Sequence, residues 1–299
     1  MRVNPFYLSN LAASLNDIQA REQQLTSEVS SGVRVNALSD DPLAAGENVL
    51  LLNQIQRDDS FSQTSSLVQG QLQVADSALG GVVSQLSQAI TLATAANNGT
   101  LNASDLKSIS NQLAGIRDEV VALANTSYQG QYIFGGSQTG ITPFSISSTT
   151  PATATYNGDR TVNTLETPNG QRIQLNVPGD QIFTATGVNN VLGVLNALVA
   201  DFASGTAAST SVADATSLST AMNFVSQQRV VLDNSLTRLT AATDAANSEK
   251  TQLTVAQTNL MQADVAKIAT QLSLAETQQT ALESIIAQLG GGSLFDKLG

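Results

Sequence analysis

The segment FSQTSSLVQGQLQVADSALGGVVSQLSQAITLATAA, residues 61–96, places an apolar or small residue at alternating steps of three and four: Phe61, Ser65, Val68, Leu72, Ala75, Leu79, Val82, Leu86, Ala89, Ala93. That spacing is the narrow seam of a coiled coil rather than the wider stripe of a globular helix. No proline lies between Pro42 and Pro143, and an interior proline would cost a helix about 3 kcal/mol. One long helix is therefore expected. It opens at Ser39-Asp40-Asp41-Pro42, where side-chain oxygens can cap the first turn and proline suits the first helical position. It continues to about Asn97, a length of roughly 80 Å at 1.5 Å per residue, which implies a rod.

The same pattern extends outward. After Asn97-Asn98-Gly99, Asn102 or Ser104 can cap a third helix with the seam Leu106, Ile109, Leu113, Ile116, Val120, Leu123, and a short loop makes it an antiparallel neighbour. Upstream, Leu8, Leu11, Leu15, Ile18, Glu22, Leu25 and Val29 form a seam that stops at Ser31-Gly32. Downstream, Leu218, Met222, Val225, Arg229, Leu232, Leu236 and Leu239 form another, weakening toward Leu253 and Leu260. A final seam, Val265, Ile268, Leu272, Ala275, Gln279, Leu282, Ile286, Leu289, starts in a new phase and meets Gly290-Gly291-Gly292. Such a stutter turns the seam to a new azimuth, so a joint is expected near residues 254–262.

The middle changes period. From Tyr128 to Phe183 the chain is rich in Thr, aromatic and β-branched residues with turn pairs Gly135-Gly136, Asn157-Gly158 and Asn169-Gly170. Asn-Gly between extended runs signals a hairpin. The spacing predicts one hairpin of Ala154–Tyr156 with Arg160–Val162, and another of Thr164–Glu166 with Arg172–Leu175. Val188–Phe202 reads as a short amphipathic helix, and the Ala/Ser/Thr run 203–217 as a loose connection.

The expected fold class is mainly α with a small β insert: a long antiparallel coiled-coil rod of N- and C-terminal segments carrying a β-hairpin-rich domain. The expected domains are 1–38 with 258–299 (terminal coiled coil), 39–140 with 188–257 (helical rod), and 141–187 (outer β-rich insert). A seam of about three heptads buries too little to offset its chain entropy. Residues 1–32 and 262–299 are therefore expected to be disordered or loosely held in the monomer and to order when neighbouring subunits cover them. The assembly residues are then Leu8, Leu11, Leu15, Ile18, Leu25, Val29, Val265, Ile268, Leu272, Leu282, Ile286 and Leu289.

Composition narrows the chemistry. The 299 residues carry only 12% charged side chains, a formal net charge of -11, and no Cys, His or Trp. Thiolate or imidazole metal sites, Cys nucleophiles and Ser-His triads are excluded, and no cofactor is expected. An acidic chain without basic clusters is unsuited to nucleic acid. The N-terminal segment lacks the apolar core of a cleaved signal peptide, and no apolar run approaches a membrane span. Asp40-Asp41 reads as a helix cap rather than an acid/base pair. Asp58-Asp59 beside Arg57 reads as a solvated face, and Arg229 as a seam residue that snorkels or pairs with a carboxylate of a partner helix. Tyr128, Tyr132 and Phe134 read as core packing, and Gly135-Gly136 is too short for a phosphate loop. No enzymatic activity is expected.

Ser30-Ser31-Gly32-Val33-Arg34-Val35-Asn36, followed by Asp40-Asp41-Pro42-Leu43-Ala44-Ala45-Gly46, resembles the joint between terminal and rod domains in the flagellin superfamily. That similarity marks Gly32, Asn36, Asp40, Asp41 and Pro42 as joint residues. Three further stretches resemble the hook-associated protein 3 branch of the superfamily rather than its filament subunits: Gly130-Gln131-Tyr132-Ile133-Phe134-Gly135-Gly136-Ser137, Ala263-Asp264-Val265-Ala266 with Leu272–Thr277, and the ending Ser293–Leu298. The resemblance implies a structural adaptor of the bacterial flagellum at the hook-filament junction, between hook-associated protein 1 and flagellin. It also implies a ring of like subunits, an export chaperone, and secretion by the flagellar export apparatus without a cleaved signal. Flagellin itself is the alternative; an enzymatic or adhesive insert would need a motif that residues 141–187 do not supply.

Overall fold

The computed structural model describes residues 5–147, 152–187 and 190–291. Among them the helices are α1 (Pro5–Ser31), α2 (Pro42–Ala96), α3 (Ala103–Ala124), α4 (Gly179–Phe183), α5 (Val191–Ala203), α6 (Ser211–Met261) and α7 (Val265–Gly291). The strands are β1 (Ser127–Tyr128), β2 (Gln131–Tyr132), β3 (Phe144–Ile146), β4 (Ala154–Tyr156), β5 (Thr164–Glu166) and β6 (Arg172–Gln174). The fold is mainly α with small antiparallel strand pairs. The chain divides into two compact units, Met1–Gln56 with Glu249–Gly299, and Arg57–Ser248.

In the larger unit, all ten seam positions from Phe61 to Ala93 are buried, and Leu79, Val82 and Leu86 are wholly so. Each such Val or Leu contributes about 1.5–3 kcal/mol of transfer free energy. Glycine lets α3 approach α2: a Cβ on Gly81 would lie 3.1 Å from Leu123 Cδ1. The Asn102 side chain accepts from the Ser104 and Asp105 N–H groups while Asp105 accepts from Asn102 N–H, completing a capping box at α3. Segments of α2 and α6 run antiparallel here, since Asp76 meets Arg229 while Ser62 meets Asn247. The same hydrophobic cluster takes in Phe134, Phe144, Ile173, Val177, Phe183 and Phe202, so Phe144, Ile173, Val177 and Phe183 of the expected insert share the core of α3, α5 and α6. At its centre the Phe183 ring packs edge-on against Phe134 and Phe144, with centroids 5.5 and 5.2 Å apart.

The strands form three separate two-stranded sheets. The Asn169-Gly170 hairpin has the expected place: Leu165 pairs with Ile173, and Gly170 has φ +80°. The Asn157-Gly158 hairpin does not form. β4 pairs instead with β3, Ser145 opposite Thr155, because this register places Tyr156 against Phe144, ring centroids 5.0 Å apart. After β4 the chain turns inward, and Asn157 and Asp159 N–H donate to the carbonyls of Pro143 and Gly135. A hairpin without an Asn-Gly signal joins β1 to β2, with Gln129 and Gly130 at φ +50° and +79°, as a type I′ turn requires. The run 203–217 is helical from Ser211, whose Oγ donates to Asn97 Oδ1 at 2.6 Å and so holds the first turn of α6.

The smaller unit contains α1, α7 and the adjoining segments of α2 and α6. α1 ends and α7 begins at one bridge, Val33 opposite Gln262, so the two helices run antiparallel. The break between α6 and α7 falls at residues 262–264, at the C-terminal edge of the expected window. Asp264 sets it: its carboxylate accepts from Lys267 N–H at 3.0 Å and caps α7.

Candidate functional site: the joint and the terminal helices

The residues between α1 and α2 form a hydrogen-bonded clasp. Gly32, at φ +68°, ends α1 with its N–H donating to Glu28 O, a left-handed stop that favours glycine. Its carbonyl accepts from Ala263 N–H at 3.0 Å, and Arg34 N–H donates to Met261 O at 2.7 Å. The Arg34 guanidinium then divides between the Asp41 carboxylate at 2.9 Å and the Leu260 carbonyl at 3.2 Å. One cation thus ties the N-terminus of α2 to the C-terminus of α6, where helix carbonyls carry partial negative charge.

The acidic pair expected as a cap serves both sides of this clasp. Asp40 Oδ2 accepts from the N–H groups of Asn36 and Ala37 at 3.0 and 2.8 Å. Asp41 Oδ1 accepts from Ala44 N–H at 3.0 Å, with Pro42 next in the first turn. The Ala44 N–H and then Arg34 hold the Asp41 carboxyl below its ordinary value of 3.8. The Asn36 side chain donates to Ser31 Oγ and Val33 O. All five joint residues, Gly32, Asn36, Asp40, Asp41 and Pro42, thus lie in one short segment. Arg34 and its α6 acceptors were not singled out from sequence, since the partners are 226 residues apart. Lining the same region, Gly32, Val33, Asn48, Gln257, Thr258, Met261 and Gln262 surround a concavity of about 410 Å³.

Beyond the clasp, Leu25 packs with Ala263 and Ile268, and Leu272 lies against them. Leu11, Leu15, Ile18, Leu282 and Ile286 are only half-buried between α1 and α7. Val29 is 41% exposed and Val265 53%, whereas Glu28 is 8% exposed; the seam steps by three, not four, as it nears Gly32. The side chains of Leu8 and Leu289 and the ending Ser293–Leu298 lie outside the described residues. Leu274 and Ile285 of α7, and Leu38, Leu43 and Leu50 nearby in the chain, are also exposed. Two helices alone leave apolar surface that a soluble monomer ordinarily keeps small.

Elsewhere, several polar and aromatic residues noted in the sequence are committed to structure, and Asp58, expected on a solvated face, is buried at 1% exposure. Arg229 pairs with Asp76 of α2. Phe134 is core, Tyr128 packs against Gly70, and Tyr132 Oη accepts from Thr142 Oγ1. The anion over Gly136 is the protein's own Asp159, which accepts from the Ser137 hydroxyl and from the N–H groups of Ser137 and Thr161. Those donors, Ser137 foremost, hold its carboxyl far below the usual range. Burial and the nearby Asp180 carboxylate push the Tyr156 hydroxyl up to about 12. Among the described residues no group of three or more acidic, His or Cys side chains is placed to hold a metal, and no helix is long and apolar enough to cross a membrane.

The order of α1, joint, α2 and α3 has a counterpart in known proteins: residues 6–139 match the bacterial flagellin N-terminal helical region. The chain is thus similar, over this N-terminal part, to bacterial flagellins. It is 31% identical over 186 residues to flagellar hook-associated protein 3 of Salmonella typhimurium, covering 62% of this chain and 57% of that one. It is 31% identical over 140 residues to the Escherichia coli protein of the same name, covering 46% and 44%. The chain thus spans about half the length of these curated relatives. To the flagellin of Bacillus subtilis it is 26% identical over 306 residues, 96% of each. A similar fold is seen in the flagellar junction protein FlgL from Legionella pneumophila, with TM-score 0.56, 14% identity and coverage of 73% and 100%. A putative flagellar hook-associated protein from Vibrio parahaemolyticus gives TM-score 0.56 at 17% identity, with coverage of 75% and 97%.

Proposed function

We propose that the chain is a non-catalytic structural adaptor of the extracellular bacterial flagellum, joining hook-associated protein 1 on one side to flagellin on the other. The observation that carries this reading is the 31% identity to two proteins named flagellar hook-associated protein 3. The incompletely covered seam of α1 and α7 supports it. In a ring of like subunits, each terminal pair would lay Leu11, Leu15, Ile18, Leu272, Leu282 and Ile286 against its neighbours. Contacts between unlike patches close into rings or continue as tubes. The clasp around Arg34 sets how α1 leaves α2, and so where the pair is presented. Export through the flagellar apparatus, with a dedicated chaperone covering the terminal seams beforehand, completes the scheme; a chain without cysteine forms no disulfide that would block passage through a channel.

The reading is tested by immobilising hook-associated protein 1 and adding the purified chain, then flagellin. Retention of the chain, with flagellin held only when the chain is present, supports it; flagellin binding that ignores the chain contradicts it. The full-length similarity to the Bacillus subtilis flagellin favours a second reading, a filament subunit. Growth of filaments from sheared seeds by the purified chain alone would establish that reading in place of the first.

A further inference from the structure

Three Asn-Gly pairs occur in the chain, and their surroundings differ in a way that bears on spontaneous chemistry. In the imide reaction the Gly backbone nitrogen, on losing its proton, attacks the Asn Cγ. The N–Cγ bond forms, the Cγ–Nδ2 bond breaks and ammonia leaves. Water then opens the five-membered ring at one of its two carbonyls, yielding Asp or isoaspartate with no change of oxidation state. The reaction needs a Gly nitrogen free of its hydrogen bond, an amide free to turn, and backbone room for the ring.

Two of the pairs lack these conditions. At Asn169-Gly170 the Gly170 N–H donates to Thr167 O at 2.8 Å inside the β5–β6 turn. At Asn157-Gly158 the Asn157 amide donates to Thr142 O at 3.3 Å, and Gly158 is wedged against Tyr156 and the Gly135 carbonyl. Asn98-Gly99, in the loop between α2 and α3, is different. Both residues are exposed, and nothing lies within 4 Å of where a Gly99 Cβ would stand. Among the described residues neither the Asn98 side-chain amide nor the Gly99 N–H has a hydrogen-bond partner, the Asn98 backbone N–H alone donating to Ala95 O.

We infer that Asn98 is a site of spontaneous deamidation in the folded protein, with water as the only co-reactant. The product matters to the fold. A carboxylate there would stand at the C-terminal end of α2, whose last turn carries no basic residue, where the helix dipole disfavours an anion. The neighbouring Asn97 pins this end of α2 to Ser211 of α6 at 2.6 Å, so a backbone lengthened by isoaspartate bears directly on that contact.

The test is peptide mapping by mass spectrometry of the full chain, aged at mildly alkaline pH in buffer and, in parallel, in denaturant. Having first to break a hydrogen bond to the Gly nitrogen slows the reaction about fivefold. In the folded chain, Asp and isoaspartate at 98 should accumulate at least about that much faster than at 157 or 169, with rates converging in denaturant. The Asn98→Gln variant should lose most of the ammonia release. Equal rates in the folded chain, or faster conversion at 157 or 169, would overturn the proposal.

Discussion

Arg229 on α6 holds Asp76 on α2 through two bonds, Nε to Oδ1 at 2.8 Å and Nη2 to Oδ2 at 3.0 Å. The fork sits over Gly80, where a Cβ would be 3.5 Å from the guanidinium carbon. A bidentate, charge-assisted pair in a coiled-coil seam fixes register as well as energy. Both side chains keep 37–38% of their surface exposed, so solvent screening limits its worth. A double-mutant cycle with Arg229→Met and Asp76→Asn, read by denaturant unfolding, should give a coupling of about 1 kcal/mol.

Acid should loosen the joint. Because Asp41 is held below its ordinary value of 3.8 by Ala44 N–H and Arg34, its contribution is complete above that value and is lost as pH falls through the lower, folded one. The protection of the Ala44 amide, its exchange taken relative to the intrinsic rate at each pH, should therefore fall on acidification at pH values where carboxylates protonate. In the Asp41→Asn variant, which keeps a capping oxygen but not the charge, protection of that amide should be lower at neutral pH and change less with acid.

Two glycines should respond in opposite directions. Gly46 lies inside α2 with nothing within 4 Å of its Cβ position, so Gly46→Ala should gain up to about 1 kcal/mol of helix stability. A Cβ on Gly179 would stand 2.8 Å from both the Phe134 carbonyl oxygen and the Phe144 ring. Gly179→Ala should therefore cost about 1–3 kcal/mol. Thermal unfolding of the two variants checks both signs.

Ile18→Ser and Ile286→Ser change residues that one chain leaves half-buried and that a neighbour is proposed to cover. Neither belongs to the cluster around Leu79, Leu113 and Phe183. The double variant should unfold like the unsubstituted monomer while its assembly falls at least about tenfold, an interface loss of about 1.4 kcal/mol or more. Loss of monomer helix in step with loss of assembly would contradict this division.

The long helices are legible because each seam is a local periodicity, and the partner faces of α2, α3 and α6 are equally regular. The Asn102 cap is legible for the same reason. The β3–β4 pairing is not, since Asn157-Gly158 states a local preference that the packing of Phe144 on Tyr156 overrides. The joint is half legible. Gly32, Asp41 and Pro42 announce a stop and a start, whereas the reach of Arg34 to Leu260 leaves no trace in local spacing. Near Gly32 the seam's phase is likewise set by the bridge of Val33 to Gln262, which buries Glu28 in place of Val29.

The adaptor reading is tested most directly by electron microscopy of flagella from a strain lacking this chain. Hooks that end bare, with flagellin shed into the medium and filaments restored when the chain is supplied again, are the expected result. Filaments of normal length on those hooks would contradict it.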